Sequence, residues 1–128
     1  MPTQEIASYE WLRFFDEFSR LHQGQLVTIE ILGLDIGNQV QARDLPLIGI
    51  TVEPNEVGED QILIVAGRPE GHVTHTISAP SRVWLKQNEQ GEDDVVEVES
   101  FTGTVLVRLP SASESELVDG MLAEKATA

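Results

Sequence analysis

The chain contains no cysteine. Disulfides, thiol catalysis and every thiolate metal site are therefore excluded, and a reducing compartment suits such a protein. Basic residues are scarce: eight Lys and Arg against 22 Asp and Glu give a formal charge of −14. Arg13, Arg20, Arg43, Arg68, Arg82, Lys86, Arg108 and Lys125 are spread singly along the chain. Nucleic acid and anionic membranes are bound through clusters of such residues, so neither is an expected partner. No stretch approaches the ~18 consecutive apolar residues of a spanning helix. The opening MPTQEIASYEW lacks a basic segment followed by an apolar one, so no secretory leader is expected. The expectation is a soluble cytoplasmic protein.

Catalytic signatures are equally sparse. None of the serines lies in G-x-S-x-G, and G-x-x-x-x-G-K-[ST] is absent. The acidic runs at 56–60 and 92–94 do not follow the calcium-loop pattern and read as solvated loops. No cofactor or metal is implied, and an enzyme is the less favoured class.

What the chain does have is concentrated near its start. Five of its seven aromatic residues fall within residues 9–22, YEWLRFFDEFSRLH. At 100° per residue, Trp11, Phe14, Phe15, Phe18 and Leu21 share one face, and Arg13, Asp16, Glu17 and Arg20 the other. This predicts an amphipathic helix capped by Ser8, or starting a turn earlier at Thr3, with Gly24 closing it in a left-handed conformation. His22 at its C-terminus reads as a capping or partly buried structural histidine.

Downstream, period-2 alternation takes over. Val27, Ile29 and Ile31 mark a first strand, and residues 33–43 read as a loop or irregular crossover. In 47–53 the inward set is Ile48, Ile50 and Val52, with Gly49 signalling a bulge or a closely pressed neighbour. Residues 62–66, ILIVA, are apolar throughout, which predicts cover on both faces, the aromatic helix supplying the second. Strands follow around Val73, His75 and Ile77, then Val83 and Leu85. A last hairpin carries Val96, Val98, Val105 and Val107. Its turn pairs Val98 with Val107 if two residues long, or with Val105 if four. Residues 1–110 form one domain; 111–128 read as an acidic tail or short helix with a Ser113–Glu116 capping box. The class is α+β: a helix on a strongly curved antiparallel meander of six or seven strands, a small SH3-like or Sm-like barrel, with an open sheet as the competing form.

Three residues stand out as pocket or interface candidates. His72 and His75 are the one close histidine pair, but three residues apart on a strand they point to opposite faces. A small-molecule pocket or minor enzyme there would need both rings on one cavity. Trp84, opposite in face to Val83 and Leu85, either anchors an interface or packs under the helix or tail.

The run Trp11-Leu12-Arg13-Phe14-Phe15-Asp16-Glu17-Phe18-Ser19-Arg20, followed by His22-Gln23-Gly24, resembles a family of small bacterial proteins of unknown function. So do Asp35-Ile36-Gly37, Leu45-Pro46-Leu47, His72-Val73-Thr74-His75-Thr76-Ile77 and the closing hairpin, a match running from Trp11 to Leu109. The resemblance implies no assigned activity or ligand and carries over no functional residue. The layout is also similar to Sm-like barrels, which commonly form rings and bind RNA; the acidic balance opposes the RNA part. The leading expectation is a non-catalytic module that acts by self-association or by binding a protein partner.

Overall fold

The computed structural model describes residues 3–33 and 37–110. In chain order the elements are β1 (Thr3–Ile6), a short 3₁₀ turn (Ser8–Glu10), α1 (Trp11–His22), β2 (Leu26–Gly33), β3 (Gly37–Pro54), β4 (Asp60–Arg68), β5 (Gly71–Ser78), β6 (Pro80–Gln87), β7 (Asp93–Ser100) and β8 (Gly103–Arg108). The expected α+β architecture is present: one helix packed on an eight-stranded antiparallel sheet. Strand order is β1-β6-β7-β8-β2-β3-β4-β5. β3 pairs with β2 up to Pro46 and with β4 from Leu47 onward. β4 and β6 stand well apart in that order yet touch each other. The sheet therefore curls back on itself around one core.

That core is the inward set of the alternating strands. Val27, Ile29, Ile62, Ile64, Ala66, Val83, Val96 and Val107 are fully buried. From the helix come Trp11, Phe15 and Phe18, with Phe14 half-buried beside them. Leu21, expected on the same face, is 71% exposed: at 100° per residue it lies at the edge of the apolar arc, just beyond Phe14, which is itself only half-buried. Helix α1 packs against β3, not the strand at 62–66 as expected. The reason lies in β4's alternation: Leu63 and Val65 on its second face are only half-buried and need no helix above them.

Two hydrogen-bonded contacts hold the start and the middle of the helix. The Trp11 indole N–H donates to the Ile6 carbonyl at 2.9 Å, tying β1 to α1. Ser19 Oγ accepts from the Ile50 N–H at 2.8 Å and donates to the Ile50 carbonyl at 3.2 Å. β2 has left β3 by this point, so one hydroxyl takes the place of a neighbouring strand. Gly49 lies beneath it; a Cβ built there would stand 3.7 Å from Ser19 Oγ.

Several local expectations are corrected. Thr3 belongs to a strand paired with β6, not to the helix, and Ser8 makes no capping bond; Glu10 is the residue at the N-cap. Residues 37–43, expected as loop, are the first part of β3. Residues 37–41 are exposed throughout, so no hydrophobic alternation marks them, and backbone pairing to β2 alone makes the strand. Ile48 is exposed while Leu47 is buried, because a bulge between Leu47 and Gly49 shifts the alternation by one. The closing hairpin takes the register with Val98 opposite Val105, but pairing continues to Ser100 opposite Gly103, so only Phe101 and Thr102 form the turn instead of the four residues expected with that register. Gly24 is left-handed (φ 86°), as expected. The tail expected at 111–128 lies outside the described residues.

The two acidic loops share one construction. Asn55-Glu56-Val57-Gly58-Glu59 and Asn88-Glu89-Gln90-Gly91-Glu92 each begin with an asparagine whose side-chain oxygen accepts two backbone N–H groups. Asn55 Oδ1 takes those of Val57 and Glu59, and Asn88 Oδ1 those of Gln90 and Glu92. A glycine at φ 87° or 83° completes each turn. In both, the asparagine oxygen is committed to the chain's own amides.

Candidate functional site

β5 carries both central candidate histidines. Half of its residues are β-branched, and among the described residues it pairs only with β4, His72 opposite Gly67 and His75 opposite Ile64. Along it His72, Thr74, Thr76 and Ser78 are exposed, Val73 and His75 half-buried, and Ile77 buried. The rings therefore leave opposite faces of one strand and do not converge. Burial pushes the His75 imidazole below the usual histidine range by penalising its charged form. Among the described residues, no group of three His, Asp or Glu side chains is placed to hold a metal ion.

Trp84 lies on the outer face of β6, opposite Glu5 on β1 and Glu97 on β7. Its indole N–H donates to Glu99 Oε2 at 2.9 Å. The expected cover by α1 is absent, since that helix sits on β3. The surrounding face is a checkerboard. Lys86 pairs with Glu97 at 3.1 Å and Arg108 with Glu30 at 2.9 Å. Val95 stands between Lys86 and Arg108, and Leu106 between Glu97 and Glu30. Both apolar residues are buried although they point away from the main core. The long charged side chains lie over them with their heads paired in water.

A third cluster joins residues that sequence spacing leaves far apart. His22 Nε2 is 2.8 Å from Asp93 Oδ2, and its Nδ1 is 2.8 Å from Gln25 Oε1. Asp93 Oδ1 accepts from Gln87 Nε2 at 3.0 Å. The ring packs 4.5 Å from Phe18, centroid to centroid. This network pins the C-terminus of α1 to the start of β7 and the end of β6, and it borders a cavity of about 450 Å³ that Leu21, Glu92 and Leu109 also line. A His–Asp pair is the orienting half of a general-base triad. Here both ring nitrogens and both carboxylate oxygens are already engaged, and among the described residues the cavity lining contains no hydroxyl or thiol to activate. The arrangement works as a structural clamp, the role expected for His22. Its partner Asp93 carries no sequence signal: the two are 71 residues apart.

Among the described residues no helix is long and apolar enough to cross a membrane. A comparison with curated proteins finds an uncharacterised protein of Aquifex aeolicus (strain VF5), 29% identical over 104 residues, covering 81% of this chain and 87% of the relative. No solved structure matches significantly. The profile of a family described as "Family of unknown function (DUF5335)" matches residues 2–116, so the chain belongs to that family, as its helix and its H-V-T-H-T-I strand suggested.

Proposed function

We propose that this protein is a non-catalytic interaction module of the cytoplasm that works by self-association or by capturing a protein partner. One observation carries the reading: among the described residues the sheet ends in β5, a strand bonded on its β4 side and unpaired on the other. An open edge offers backbone donors and acceptors to another chain, the basis of recognition by strand addition. The groups that could do chemistry support the same reading. His72 and His75 diverge, and the His22–Asp93 cluster is satisfied internally. The competing idea, a small-molecule or enzymatic pocket at His72 and His75, loses its geometric requirement with that divergence. The charge of −14 and the scattered basic residues favour neither nucleic acid nor membrane.

Native mass spectrometry of protein purified from its own host tests the proposal. The expected spectrum shows a self-associated or protein-bound species with no added ligand mass. A stoichiometric metal or small molecule retained on the chain would overturn it.

A further inference from the structure

The exposed edges of this sheet are not equivalent. β1 is four residues long and carries Glu5. The first part of β3 carries Arg43, and its register with β2 is interrupted. β5 has none of these protections. It runs eight residues, Gly71–Ser78, in unbroken register with β4, and contains no proline, Lys, Arg, Asp or Glu. Natural edge strands are normally shortened, charged, bulged or interrupted by proline, because a long, regular, uncharged edge pairs with another chain. In a chain of net charge −14, two copies repel each other over most of their surfaces. An uncharged edge strand is where that repulsion is locally weakest.

We infer that β5 is the docking edge for β5 of a second copy, paired antiparallel about a two-fold axis so that the sheet continues across the dimer. The inference rests on the interaction-module reading and specifies its partner and surface. The sequence of β5 is self-complementary in that arrangement. A two-fold perpendicular to the sheet must place odd positions opposite odd ones, because the buried and exposed faces have to stay continuous. With His75 on the axis, Val73 faces Ile77 of the second copy and Thr74 faces its Thr76. β-branched and Thr–Thr cross-strand pairs are both favourable. His72 then faces Ser78. This overlap is roughly 24 Å long. That is a small interface, which sets the affinity on the order of micromolar.

The test is light scattering coupled to size-exclusion chromatography, from roughly 1 µM to 1 mM. Four proteins are compared: wild type, T74E/T76E, T74K/T76E and Q39E/Q41E, their folding checked by circular dichroism and melting. All four substituted positions are exposed. Wild type is expected to show a concentration-dependent dimer. T74E/T76E places like charges directly opposite across the axis and should weaken dimerisation at least tenfold. T74K/T76E places lysine opposite glutamate and should restore it. Q39E/Q41E adds the same net charge away from β5 and should dimerise like wild type. If T74E/T76E associates like wild type, the β5 interface is wrong while self-association stands. If T74K/T76E stays monomeric, the assigned register is wrong. If wild type is monomeric throughout, the inference and the self-association half of the proposed function fall together, leaving only a different protein partner.

Discussion

Removing the Ser19 hydroxyl should cost far more than so small a change suggests. Ser19 Oγ serves both the N–H and the C=O of Ile50, at 2.8 and 3.2 Å, where β3 has lost β2 as a neighbour. Ser19→Ala leaves two backbone groups without partners beneath the helix. A buried unpaired group costs ≈ 1–3 kcal/mol. This site is only part-buried, and water reaching one of the two groups brings the expected total to about 2 kcal/mol. The companion Gly49→Ala adds a methyl 3.7 Å from the same oxygen, an ordinary contact at a residue without positive φ. It should change stability by less than ~1 kcal/mol and can raise it by stiffening the unfolded chain. Urea denaturation followed by circular dichroism measures both, with an unchanged m-value securing the comparison. A loss below ~0.5 kcal/mol for Ser19→Ala would mean that water replaces the hydroxyl, and that Ser19 does not anchor the helix.

Phe18→Ala should cost ~3–5 kcal/mol, since the ring is 2% exposed and packs on Phe14 and His22. Leu21→Ala, at a residue the sheet leaves exposed, should stay within ~0.5 kcal/mol in the same assay, and equal losses at the two positions would contradict the helix orientation. Gly103→Ala should cost at least ~2 kcal/mol by thermal melting. Its φ is 149° and a Cβ there would lie 2.5 Å from the Leu32 carbonyl oxygen, so a tolerated methyl would refute the close pairing of β8 with β2. For His75, burial lowers the folded pKa below the unfolded value of 6.5. The unfolded chain then takes up a proton first as pH falls. The stabilisation is complete above 6.5, is lost as pH drops through the window down to the folded pKa, and is constant below it. Urea midpoints against pH should show wild type falling more steeply than His75→Gln in that window, and parallel curves would exclude the effect.

The sequence was a good guide wherever a strand buries one face. Val27 and Ile29, Val96 and Val98, and Val105 and Val107 announce their strands because alternation and burial coincide. It was silent where strands are held by backbone bonds alone, as in β1 and at 37–41, whose side chains are almost all in water. One bulge was enough to misassign Ile48, since its extra residue turns Leu47 inward and Ile48 outward while Ile50 and Val52 keep the side expected of them. The helix was legible as an element, but its docking partner was not. ILIVA looked covered on both faces, whereas the groove that receives the aromatics lies along β3. The candidate site divided the same way. Strand period alone separates His72 from His75, while the His22–Asp93 clamp depends on a contact between distant segments that no local pattern encodes. The paired N-E-x-G-E loops were within reach: the same five-residue pattern occurs twice and builds the same turn twice.

Cross-linking through a single introduced cysteine tests most directly the claim that this protein works through β5, because the chain has no cysteine of its own. Residues directly opposite in an antiparallel pair have Cα atoms ~4.5–5.5 Å apart, within disulfide reach. The two copies of position 75 should therefore be joined when H75C is oxidised under mild conditions, giving a dimer that reductant dissolves. Position 78 of one copy faces position 72 of the other, so its two copies stand roughly 20 Å apart and S78C should remain monomeric. An H75C protein that stays monomeric, or an S78C protein that cross-links as readily, would contradict the account.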